Sequence, residues 1–278
     1  MKHIKVLAST LLAASGFVGA SAHAVPWVGT ANYYTPLLTP QGNDEEIVGP
    51  FDSYDFGAGV VLMEKSASQP GPSGTTSYDG YYQSYVTKHE LNGGPVGSLL
   101  LDKTYELTVV ADFKQNVSVT SPSTTQSAVQ SGMFSLYRDT TPDRSFSSDS
   151  GFSDGAPAIM SGSIVGGSGT ASSDSNGNLT GVTYLDIKVT YYDPTVFTPA
   201  TINGAEGIFT LRLNTSGTGF PAGVTSVQSH TYDPSMGDLR FAADGYATLS
   251  AVPEAETYAM MLAGLGLIGF IVRRRHAV

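Results

Sequence analysis

The chain of 278 residues predicts an all-β body, an antiparallel β-sandwich or jelly-roll-like domain, flanked by an N-terminal signal peptide and a C-terminal single apolar helix. Three observations predict it. Period-two alternation recurs through the middle of the chain, 32 glycines and 15 prolines supply turns at short intervals, and no stretch between the two ends repeats with a helical period. The clearest alternation sets Thr183, Leu185, Ile187, Val189 and Tyr191 against Tyr184, Asp186, Lys188 and Thr190. One face of such a strand is buried and the other is wet, as in antiparallel sheets.

Taken in order, strand patterns fall at 58–63, 81–87, Leu107 to Phe113, 131–138, 158–165, 183–191, Phe209 to Leu213, 224–232 and 239–250. Asp79-Gly80, Asp154-Gly155, Asn176-Gly177 and Asn203-Gly204 read as turns between or beside these runs. The region 64–80, with Ser66-Ala67-Ser68-Gln69-Pro70-Gly71-Pro72, reads as a loop. The division is therefore 1–24 for the signal peptide, 25–252 for the β-rich domain and 253–278 for a sorting segment with an apolar helix and an arginine cluster.

Composition excludes several functions. With no cysteine the chain has no disulfide framework, no thiolate zinc site and no Cys nucleophile. Between residues 25 and 252 there are 22 acids and nine bases, so the body carries a net charge of −13. Such a field repels phosphate backbones, and nucleic acid is not an expected partner.

The two ends specify a destination. Lys2 and Lys5 precede an apolar run from Val6 to Val18 and the small residues Ala22-His23-Ala24, which is the order of a secretory signal cleaved after Ala24 by signal peptidase. At the other end Pro253 and Glu254 precede the apolar segment 259–272 and then Arg273, Arg274 and Arg275. Fourteen helical residues reach about 21 Å, short of a hydrocarbon core of roughly 30 Å. The absence of a polar face and the arginines behind the segment still favour a membrane role, helped by thinning and snorkelling.

This C-terminus resembles the PEP-CTERM sorting signal. The resemblance rests on Pro253 and Glu254, on the segment from Met260 to Phe270, and on Arg273 to Arg275; Ala255 stands where the family usually has a second proline. It implies export by an exopolysaccharide-forming Gram-negative bacterium, transient anchoring in the inner membrane, processing by an exosortase and release to the cell surface or extracellular matrix. Within the body, Ser84-Tyr85-Val86-Thr87, His89-Glu90-Leu91-Asn92-Gly93, Tyr105 to Phe113, Tyr137 to Asp143 and Ala243-Asp244-Gly245 look like flocculation-associated members of that class. That likeness implies a role in cell aggregation.

Signals for catalysis are sparse. His89 and His230 are the histidines left after both ends are removed, and there is no Gly-x-Ser-x-Gly elbow, no second His four positions after His89-Glu90, and no phosphate-cradling Gly-x-x-x-x-Gly-Lys. Both histidines are expected at strand or surface positions. Calcium has two weak candidate sites, Asp139 with Asp143, and Asp174 with Asn176 and Asn178. The latter is not an EF-hand, since Leu179 holds the glycine position and Leu185 the bidentate one; a hairpin turn is the plainer reading. Tyr81, Tyr82 and Tyr85, and Tyr33 with Tyr34, could stack on sugars but suit strands equally well. The sequence is thus expected to encode no enzyme and no obligate cofactor. It reads as a surface or matrix protein that associates with exopolysaccharide in biofilms or flocs, with a carbohydrate-binding module and then a secreted glycoside hydrolase as alternatives.

Overall fold

The computed structural model describes residues 25–33, 46–66, 71–72, 74–154, 157–202 and 208–251. The signal-cleavage residues Ala22 and Ala24, the sorting residues Pro253, Glu254 and Arg273 to Arg275, and the expected C-terminal helix lie outside the described residues, as does Asn203-Gly204. Among the described residues, no helix is long and apolar enough to cross a membrane.

In chain order the strands are β1 (Val25–Pro26), β2 (Gly29–Asn32), β3 (Ile47–Phe51), β4 (Ser53–Lys65), β5 (Thr75–Leu91), β6 (Gly94–Val96), β7 (Glu106–Ser121) and β8 (Thr124–Asp139). They continue with β9 (Met160–Ser173), β10 (Leu179–Tyr192), β11 (Phe197–Thr198), β12 (Ile208–Ser216), β13 (Ser226–Val227), β14 (His230–Thr231), β15 (Leu239–Thr248) and β16 (Ser250–Ala251). The expected all-β, antiparallel character holds. The expected sandwich does not. Eight strands pair in the order β4-β15-β12-β10-β9-β8-β7-β5, and β5 pairs back onto β4, so one sheet closes on itself as an up-and-down barrel. Alternation fixes which residues face inward, but it is the same for a sandwich and a barrel; only the β4–β5 and β4–β15 ladders distinguish them.

The inward phase is apolar. Leu107, Val109, Leu185, Ile187, Leu211 and Phe134 are buried inside the barrel, while Asp112, Lys114, Asp186 and Lys188 alternate with inward residues on the same strands and leave the outer wall charged. A membrane barrel shows the reverse, an apolar band outside and a polar lumen. Along β4 the run Val60-Val61-Leu62-Met63 is buried on both faces. Its outward members Val60 and Leu62 pack with Val224 and Val227 from the segment between β12 and β15, which folds back over the wall.

Strands β4, β7, β9 and β12 run toward one end, and β5, β8, β10 and β15 return from it. The opposite end is stoppered by the N-terminal segment. Trp27 is 1% exposed, donates its indole N–H to the Pro199 carbonyl at 3.0 Å, and meets Phe51 and Phe197 edge-on. Strands β11, β2 and β3 form a small sheet at this stopper, and β1 pairs with β16 beside it.

Several sequence expectations are corrected. Asp79-Gly80 is not a turn but lies within β5, and both ends of the expected 64–80 loop are strand, since β4 continues to Lys65 and β5 begins at Thr75. Residues 224–232 supply only the two-residue strands β13 and β14. Asn176-Gly177 does form the β9–β10 turn, with Gly177 at φ +81°.

Candidate functional site

The two calcium candidates resolve into different arrangements. In the β9–β10 turn, the Asp174 carboxylate accepts from the backbone N–H groups of Asn176 and Asn178, both at 2.8 Å, and from the Asn178 side-chain amide at 3.0 Å. These bonds, the Asn178 amide foremost, hold the carboxyl below its usual range. The oxygens are taken up by the turn itself.

Asp139 and Asp143 are brought together with a residue the sequence reading missed, Glu106. One carboxylate oxygen of each lies within 4.8 Å of the others. Glu106 sits directly opposite Asp139 on the β7–β8 ladder and is fully buried. Its Oε1 accepts from the backbone N–H groups of Asp143 and Arg144, each at 3.0 Å, and its Oε2 accepts from Arg144 Nη1. The same guanidinium nitrogen donates to Asp102 at 2.8 Å, and the group lies 3.7 Å above the Tyr85 ring. Arg144 thus supplies the positive charge that a cation would bring. Nothing in the sequence marks Glu106, because its partners come from a segment almost forty residues away.

His89 faces the stoppered end from β5 and is fully buried. Its Nε2 is 2.9 Å from Tyr33 Oη and its Nδ1 is 2.8 Å from Ser98 Oγ, while Tyr33 also bonds Tyr54 at 2.9 Å. Burial pushes the imidazole down to about 3, so it is neutral at ordinary pH. The rings of Phe51, Tyr33 and Tyr54 surround it with centroids 4.8 to 5.4 Å away. Serine and histidine are therefore adjacent, but a tyrosine occupies the place a triad gives to a carboxylate, and the imidazole is closed off from solvent. Next to it Glu46 accepts from Tyr105 Oη at 2.6 Å and from the backbone of Leu99 and Leu100. This is a buried polar network in which each member has a partner.

His230 lies half-buried on β14 and stacks on Tyr81 at 3.6 Å, with Nδ1 3.1 Å from Glu64. It fastens the β13–β14 hairpin to the outside of the barrel. Gln228 and Ser229, both at positive φ, turn that hairpin, and Asp149 accepts from both of their N–H groups. The tyrosine clusters are likewise structural: Tyr33 and Tyr82 are fully buried, Tyr81 lies under His230 and Tyr85 under Arg144. Tyr34 lies outside the described residues.

The open end of the barrel is different. There the interior holds a cavity of about 190 Å³ to which all eight barrel strands contribute. Phe113 lies at its inner side and Val119, 73% exposed, at the rim. Gln115 reaches it from β7. Sequence reading stopped the β7 alternation at Phe113, yet the inward phase continues through Gln115, Val117 and Val119. A glutamine in the apolar phase was the available signal.

No curated protein and no solved structure matches the chain. Residues 251–275, which begin where the last strand ends, match the PEP-CTERM protein-sorting motif, and that motif marks an exported protein of the cell envelope or surface that is processed by an exosortase.

Proposed function

We propose that the processed protein is a non-enzymatic component of the cell surface or extracellular matrix of a Gram-negative bacterium, where it supports biofilm or floc formation by associating with exopolysaccharide. The observation that carries this reading is the sorting motif at 251–275 placed directly behind a self-contained barrel. Support for the polysaccharide comes from the outer wall across β8, β9 and β10. Ser135, Ser161 and Tyr191 lie side by side on paired strands, next to Met133 and Ser163. Tyr191 and Met133 are 43% and 50% exposed, so this part of the wall offers an aromatic face and hydroxyls, flanked by Asp112 opposite Met133 and Lys188 opposite Ser163. An aromatic ring with a wet edge suits stacking against a sugar while its hydroxyl stays hydrated. Support for a non-enzymatic role comes from the sealed state of His89 and the docking role of His230.

The test is fractionation and intact mass in the native host, with and without its exosortase. The reading expects loss of residues 1–24 and of the sorting segment, with the protein in the surface or matrix fraction. It further expects co-sedimentation with the host's exopolysaccharide that weakens severalfold in Tyr191→Ala. Release of reducing ends from that polymer would instead identify a hydrolase.

A further inference from the structure

We propose that the open end of the barrel is a binding site for a small, neutral, amphipathic molecule, one with an apolar body and a single hydrogen-bond donor that reaches Gln115. The inference is independent of the sorting motif and of the polysaccharide reading.

The barrel interior changes character along its axis. Near the stoppered end the inward positions carry Leu, Ile, Phe and Tyr, and they are filled. Toward the mouth the corresponding positions of β8, β9, β10 and β12 are Thr125, Ser127, Ala171, Thr183 and Thr215. Small side chains there leave about 190 Å³ open, in a protein interior where voids larger than a water molecule are few. An eight-stranded barrel is just wide enough either to fill with its own side chains or to hold one small ligand. This one does the first in its lower half and leaves space for the second in its upper half.

The lining specifies chemistry. Val61, Met63, Phe113, Val117, Leu213 and Phe241 form apolar walls, and among the described residues no Asp, Glu, Lys, Arg or His lines the cavity. A charged ligand would lose its hydration there without a partner, so the occupant is neutral. Gln115 is 8% exposed, yet among the described residues its Oε1 has no hydrogen-bond partner, and its Nε2 has only the Met63 sulfur at 3.6 Å. A buried amide with so little compensation is costly, and a ligand O–H or N–H at Oε1 would remove that cost. An engineered apolar cavity of roughly 150 Å³ accepts benzene. The larger volume here accommodates an alkyl-substituted ring or a short branched chain with one hydroxyl.

The floor is built for this. Phe113 stands between Gly80 and Gly132, and a Cβ on Gly80 would come within 2.6 Å of the Phe113 ring. The missing Cβ of Gly80 leaves room for the Phe113 ring to lie over β5 at the inner side of the cavity.

The test uses the exported protein with [¹³C-methyl]methionine and two isomeric probes, 4-propylphenol and the methyl ether of 4-ethylphenol, which lacks the donor. Met63 lines the cavity, whereas Met133 and Met236 are exposed on the outside, so three methyl signals separate specific from general binding. The phenol is expected to shift the Met63 signal saturably and to leave Met133 and Met236 in place. The ether is expected to bind about tenfold more weakly, the usual effect of one lost neutral hydrogen bond. In Gln115→Leu the two probes should bind alike, and in Ala171→Phe neither should bind. A Met63 signal that does not saturate, equal shifts at Met236, or equal affinity of the wild type for phenol and ether would each overturn the proposal. The wild-type comparison decides the matter even if a substituted chain fails to fold.

Discussion

At the scale of single residues, His89 and Arg144 carry the most consequence, and each is a polar group the fold has enclosed. His89 binds no proton in the folded state until about pH 3, whereas in the unfolded chain it titrates near 6.5. Between those values the unfolded state holds the extra proton, so stability falls as pH drops through this window, at about 1.4 kcal/mol per pH unit from this group. Denaturant titrations from pH 7 to pH 4 should therefore give a steeper loss in wild type than in His89→Gln. Equal slopes would mean that the imidazole is already hydrated in the folded protein. Arg144 answers a different problem, the enclosed Glu106 carboxylate. Arg144→Met leaves that charge without its cation and should cost about 3–5 kcal/mol, and Glu106→Gln added to it should recover most of the loss. Because the guanidinium already fills the role, calcium at millimolar concentration should leave the wild-type Tm unchanged; a rise of several degrees would assign an ion to Asp139 and Asp143.

At the scale of elements, glycines decide where strands can approach. A Cβ on Gly132 would fall 2.0 Å from the Asp112 carbonyl oxygen and 2.7 Å from Phe113 Cα, both backbone atoms of the neighbouring strand. Gly132→Ala must push β7 and β8 apart and should cost about 1–3 kcal/mol. Gly166→Ala, on β9 with nothing within 4 Å of its Cβ, should change stability by less than about 0.5 kcal/mol in the same thermal melts. These positions also show where the sequence was legible. Strands with an apolar inward face, such as β7 up to Phe113, β10 up to Val189 and β12, were readable by period; Tyr191, expected on the same face as Val189, points outward because the register shifts between the two. Their mouth-ward extensions were not, because Thr125, Ser127 and Thr215 face inward without being apolar, and Asp79-Gly80 mimics a turn where the missing Cβ in fact makes room for Phe113. The residues that hid the strand ends are those that line the cavity. The enclosed acid Glu106 was illegible for another reason, since its partners arrive through tertiary folding alone.

At the scale of the whole molecule, the two ends of the barrel differ, one stoppered and one open, and Val25 and Ala251 both lie at the stoppered one. Val25, which follows the expected signal cleavage, pairs with Ala251, the first residue of the sorting motif, and Pro26 pairs with Ser250, so the two ends of the body are neighbours on one small sheet. That sheet lies at the stoppered end. The described chain thus ends, at the start of its sorting motif, on the side away from the mouth. The barrel closes through β4, β5 and β15 alone, all within 53–248, so neither terminal segment is needed for closure. A chain spanning 25–251 should therefore unfold in one cooperative transition, with a Tm within a few degrees of the processed native protein. Shortening it further is a different matter. Leu249 is 1% exposed, its carbonyl accepts from Trp27 N at 3.1 Å, and its own N–H donates to the Asp52 carbonyl at 2.8 Å. Ending the chain at Ala247 removes that bridge and frees the segment carrying Trp27. The shortened chain should lose about 2–5 kcal/mol, as for other large core deletions, with Trp27 fluorescence moving toward that of a solvated indole. An unchanged Tm and unchanged fluorescence on ending at Ala247 would show that the stopper holds without its C-terminal partner, and the pairing of the two ends would then carry no structural weight.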